Sequence, residues 1–139
     1  MQPGFAVLLV FVGGAVGAVA REFLMLLVPT PSHGFPLDIL VANVVASLLI
    51  GFSAGRYNRR AINAGWHLTV TTGAMGGLST FSSFVFASSV LMKASMTGAL
   101  VAAAYVVISL VMGYAAVIVG MTIGGRATAT RKQDAWKSP

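Results

Sequence analysis

Thr71-Thr72-Gly73-Ala74-Met75-Gly76-Gly77-Leu78-Ser79-Thr80-Phe81-Ser82-Ser83-Phe84 lies in the middle of an apolar run from about Trp66 to Met92. Glycine and hydroxyl side chains crowd the depth at which a lipid-facing helix carries leucine. Main chain released from helical pairing cannot face hydrocarbon, because each unsatisfied polar group there costs several kcal/mol. It survives at that depth only inside protein, beside a cavity or around an ion, and discontinuous helices put carbonyls and helix ends where they hold ions. Gly76-Gly77 followed by Ser79-Thr80 is therefore a candidate cation site of main-chain carbonyls. The alternative is a glycine-rich packing surface whose hydroxyls bond back to their own helix.

Three further apolar stretches flank this one, at about 4–28, 37–57 and 97–123, each near or above the roughly 20 residues that cross the hydrocarbon core. Pro29, Pro31, His33, Gly34 and Pro36 mark a turn after the first. The expected fold is all-α, four membrane spans over residues 1–123 with a broken third helix, followed by a polar, basic tail from 124 to 139. Composition demands lipid as solvent: 57% of residues are hydrophobic and only 9% charged, against about 25% charged in a soluble domain. The absence of cysteine removes disulfide and thiolate metal chemistry. A net charge of +6 could suggest nucleic acid, but the basic residues sit between and after the apolar runs, as juxtamembrane anchors do, so no nucleic-acid role is expected. The first run lacks a basic leader segment and is long enough to span, so no cleavable signal peptide is expected. Gly13, Gly14, Gly17 and Ala18 in the first span, and Ala46, Gly51 and Gly55 in the second, suit close helix packing.

Phe81 and Phe84, three apart, share one helix face. Their positive ring edges, set among Thr80, Ser82 and Ser83, can line a path for a small anion. Asn43, the one amide deep in the second span, must face protein or water, either as interhelical glue or as an anion donor. Ser109, with Tyr105 one turn before it, either bonds back to its own helix or lines a pore. Arg21 either snorkels to the interface or supplies positive potential to a vestibule. His33 and His67 lie near interfaces and carry no specific signal. No span centre holds a carboxylate or histidine; Glu22 and Asp38 lie near helix ends. That argues against a proton-coupled transporter and against an enzyme.

These motifs, in order and over essentially the whole chain, resemble the Fluc (CrcB) family of small fluoride channels. The segment from Gly13 to Arg21 resembles its first-helix motif, and Leu40-Val41-Ala42-Asn43 its second-helix asparagine motif. The stretch from Gly76 to Phe84 resembles its broken third helix with paired phenylalanines, and Ser109-Leu110-Val111-Met112 is similar to its fourth-helix serine motif. The resemblance implies an antiparallel dual-topology dimer with two passive fluoride pathways, which export fluoride from the cytoplasm across the cell membrane. It implies Phe81, Phe84, Asn43, Ser82 and Ser109 as pore residues and Arg21 beside a vestibule. It also implies that the backbone carbonyls of Gly76 and Ser79, from both subunits, hold a structural sodium ion that is not transported.

Three positions depart from the family pattern: Ile39 and Gly113 replace hydroxyl residues, and Ala87 stands where an acid is common. Arg56, Arg59, Arg60, Arg126, Arg131, Lys132 and Lys137 fall on one side of the membrane and only Arg21 and Lys93 on the other. The positive-inside rule then puts both termini in the cytoplasm. Such a bias fixes one orientation, so the expected partner is a sister subunit of opposite bias, with a homodimer as the alternative. Two competing functions are a four-helix multidrug-type transporter, which lacks the mid-membrane carboxylate it would need, and a non-conducting structural subunit.

Overall fold

The computed structural model describes residues 2–28 and 35–126. Helix α1 spans Pro3–Leu27, α2 Leu37–Asn58, α3 Ala64–Leu68, α4 Met75–Leu78, α5 Phe81–Ala94 and α6 Met96–Arg126, with a π-helical turn at Thr69–Ala74 between α3 and α4. Among the described residues four stretches are long and apolar enough to cross a membrane: α1, α2, the compound third span Ala64–Ala94, and α6. Pro29, Pro31, His33 and Gly34 of the expected turn lie outside the described residues, as does the expected tail from 127 onward. Helix α6 itself carries Gly124, Gly125 and Arg126, beyond the end expected at 123.

The helix ends follow from local chemistry. Pro3 opens α1, where its missing N–H is no loss. Val28 leaves the helix with extended angles, because the residue before a proline is pushed out of the α region. Helix α2 carries Asp38 in its first turn and Arg56 in its last, each matched to the dipole end it occupies. It closes with Arg60 at φ 54°, the Arg60 amide donating to the Tyr57 carbonyl and the Ala61 amide to that of Arg56. That is a Schellman closure with arginine where glycine is usual. Asn63 then caps α3 by accepting from the Trp66 amide at 2.8 Å. Between α5 and α6 the turn is one residue, Ser95, whose hydroxyl accepts from the Gly98 amide.

The spans pair one on, one off. Helix α1 runs parallel to the third span, and α2 parallel to α6, and these are the most extensive helix contacts. Both seams are backbone to backbone. A Cβ added to Gly17 would strike the Ala74 carbonyl, and one on Gly51 the Val117 carbonyl. Close approach of this kind replaces the hydrophobic drive that lipid removes. Ala46, Met75 and Leu78 form the buried cluster where the two pairs meet, directly beside the helix break.

Candidate functional site

The third span breaks at Ser79 (φ −73°, ψ 152°) and Thr80 (φ −142°, ψ 100°), two extended residues between α4 and α5. In a continuous helix the Thr80 amide would bond the Gly76 carbonyl, and the Ser83 amide that of Ser79. Neither does. Thr80 N donates instead to Asn43 Oδ1 at 2.9 Å, and Ser83 N to the Thr80 Oγ1 at 3.2 Å. Side chains thus take both donors, and the Gly76 and Ser79 carbonyls are left without their helical partners. Thr80 is buried, so its amide needs the Asn43 oxygen. Its hydroxyl donates to Ser83 Oγ at 2.7 Å and caps α5.

Asn43 is therefore interhelical glue. The amide oxygen must face the Thr80 N–H, which fixes its orientation, and Nδ2 lies 3.5 Å from the Thr80 carbonyl. That second bond is at the limit of length, and an amide nitrogen carries two hydrogens. Donor capacity remains for a cavity of about 330 Å³ lined by Asn43, Ser47, Ser79, Phe81, Phe84 and Ser109. The Phe81 and Phe84 ring centroids are 6.1 Å apart with planes inclined by 28°, and Phe81 is 78% exposed on this chain. Ser109 lines the cavity while its hydroxyl donates to the Tyr105 carbonyl at 2.7 Å. It must leave that bond to donate to anything else.

Ser82 and Arg21 do not line this cavity. Ser82 lines a separate cavity of about 410 Å³ with Met25, Ile39, Ser83 and Phe86. Arg21 stands half-exposed on α1, outside both cavities. Tyr105, by contrast, was read from sequence only as the neighbour of Ser109. It is fully buried, its ring 5.3 Å from that of Phe84 and 5.4 Å edge-on to that of Phe35. Its hydroxyl has no hydrogen-bond partner among the described residues. The signal was the spacing: Tyr105 and Ser109, like Asn43 and Ser47, are four apart and share a helix face.

Chemically the first cavity offers an amide, hydroxyls and aromatic rings, with no charged side chain in its lining. Among the described residues no three His, Cys, Asp or Glu come together as a metal site. Any cation here would rest on neutral carbonyl oxygen.

Residues 8–121 match the family described as CrcB-like protein, Camphor Resistance (CrcB). The chain is 53% identical over 121 residues to a Brucella abortus protein named fluoride-specific ion channel FluC 1, covering 87% of this chain and 45% of that relative. It is 52% identical over 118 residues to fluoride-specific ion channel FluC 3 of Yersinia pseudotuberculosis, covering 85% of this chain and 87% of the relative. A fluoride-specific ion channel FluC of Ignicoccus hospitalis is 36% identical over 121 residues and is covered to 96%. The chain thus spans less than half the length of the Brucella relative and nearly the full length of the other two.

Proposed function

This chain belongs to the CrcB family of multi-pass membrane proteins, and from that premise we propose that it is one subunit of a passive, fluoride-selective channel that lets fluoride leave the cytoplasm. The observation that carries the reading is a cavity at the helix break that Asn43, Phe81, Phe84 and Ser109 share without a fixed charge. Fluoride is small and tightly hydrated, so a pore must replace its water with closely spaced donors. Amide N–H, hydroxyl and positive ring edges do this, and a lining without cationic side chains binds weakly enough for the ion to move on. In this reading Phe81, Phe84, Asn43 and Ser109 act in one stretch of the pathway, Ser82 in another on the far side of α5, and Arg21 at an aqueous mouth.

The active unit is an antiparallel dimer, and the Gly76 and Ser79 carbonyls of both subunits hold a structural sodium ion at its centre. Their lack of helical donors supports this, as does the exposure of Gly76 with open space about it. Two carbonyls cannot fill a cation's shell, so the remaining ligands come from the second subunit. When bound, sodium supplies a fixed positive charge that offsets part of the anion's desolvation. The charge bias supports cytoplasmic termini and a sister subunit of opposite orientation.

Fluoride and chloride efflux from liposomes holding the purified chain, with sodium present, tests the reading. Fluoride-selective efflux from the chain alone keeps the channel and removes the need for a sister subunit. A folded chain that conducts only when co-expressed with an opposed sister keeps both. No fluoride flux in either preparation sinks the channel and leaves the structural subunit.

A further inference from the structure

The seam between the end of α2 and the start of the third span carries an open cavity of about 440 Å³ that takes no part in the proposed pathway. It is lined by Leu49, Phe52, Ile62 and Val70, together with the half-exposed Arg56 and the exposed Trp66. Ser53, 3% exposed, also lines it and bonds His67 Nδ1 at 2.9 Å, and the His67 ring stacks on Tyr57 at 4.5 Å. The Arg56 guanidinium lies 6.0 Å from the centre of the Phe52 ring, and Arg59 and Arg60 follow within a turn. Glu22 and Asp38, the acidic residues among those described, lie near the opposite ends of their helices.

An apolar slot beside Trp66, with an arginine in its lining, matches an amphiphile with an anionic head. Basic pockets between helices at a membrane surface take acidic lipid headgroups, and tryptophan marks the interface depth. The chain's own segment 127–139 is a poor occupant, because Arg131, Lys132 and Lys137 outweigh Asp134 and would repel Arg56. We propose that this cavity binds one anionic phospholipid, its phosphate on Arg56 and an acyl chain along Leu49, Phe52 and Val70. The assignment stands whatever ion the chain conducts.

Trp66 reports the site directly. Trp136, the other tryptophan, is replaced by Phe, and quenching of Trp66 by brominated phosphatidylglycerol is compared with quenching by brominated phosphatidylcholine. A roughly fivefold preference for the anionic lipid is expected, equivalent to the about 1 kcal/mol of one arginine near an acidic surface. Arg56→Gln should bring the ratio near unity, whereas Arg56→Lys should keep most of it. Equal quenching by the two lipids in the parent chain overturns the proposal, even if Arg56→Gln fails to fold. So does a preference that Arg56→Gln leaves intact, which would be general surface attraction. Absence of quenching by either lipid also overturns it, and assigns the cavity to protein, either the C-terminal segment or a second subunit.

Discussion

Replacing Asn43 with alanine should destabilise the protein by unmaking the helix break rather than by opening a hole. The Asn43 oxygen is the acceptor for the Thr80 amide at 2.9 Å, and Thr80 is only 5% exposed. The 3.5 Å contact from Asn43 Nδ2 to the Thr80 carbonyl is too long to count for much. Losing one acceptor strands one buried donor, which costs about 1–3 kcal/mol, and water is too scarce at this depth to relieve it. A loss of about 2 kcal/mol corresponds to a melting shift of roughly 5–10 °C for a chain of this length. The Thr80 amide can recover a partner only by closing onto the Gly76 carbonyl, which would consume an oxygen assigned above to the cation. Thermal unfolding in detergent, followed by circular dichroism, reads the stability. Sodium dependence of that melting reads the carbonyl. Asn43→Asp keeps an oxygen for Thr80 in either protonation state and should recover most of the loss. If Asn43→Ala melts with the parent chain, Thr80 has another acceptor available at no cost, and this account of the break is wrong.

Four other substitutions test separate parts of the structure. Gly17→Ala sets a methyl against the Ala74 carbonyl and should cost about 1–3 kcal/mol of stability by overpacking. Gly4→Ala meets nothing within 4 Å, so it should be neutral or stabilising in the same melting assay. Arg60→Gly relieves a left-handed residue at φ 54° and should raise stability by about 1 kcal/mol, visible as a higher melting temperature. Ser109→Ala removes a hydroxyl already bonded to the Tyr105 carbonyl. Stability should therefore barely move, while fluoride efflux falls about tenfold for one lost donor of about 1.4 kcal/mol.

The spans were legible because lipid imposes length and hydropathy on every crossing element. The break was legible for the same reason: Gly76-Gly77 and Ser79-Thr80 make no sense facing hydrocarbon. What holds the break was only half visible. Asn43 was expected to be either glue or a donor, and the bond to Thr80 depends on how two distant helices lie, which spacing within one helix does not encode. The π-helical turn at Thr69–Ala74 left no mark in the hydropathy pattern, since it adds a residue without changing its character. Adjacency in the sequence groups Ser82 with Phe81 and Phe84. One step along α5 is a 100° rotation, enough to turn it into a different cavity. Tyr105 went unweighted because a tyrosine in an apolar span looks like any other large side chain until its hydroxyl is found buried.

The interleaved pairing of the spans bears on how the protein is made. Helix α1 emerges before the other three described spans, yet its main seam, through Gly13 and Gly17, is with residues 69–74 of the third span, and it touches α2 far less. Helix α2 likewise waits for α6. A nascent chain halted after its first hairpin would hold two inserted helices with no close partner for either. Assembly therefore cannot proceed hairpin by hairpin as synthesis does. It has to be largely post-insertional, with α6 supplying the seam that α2 needs.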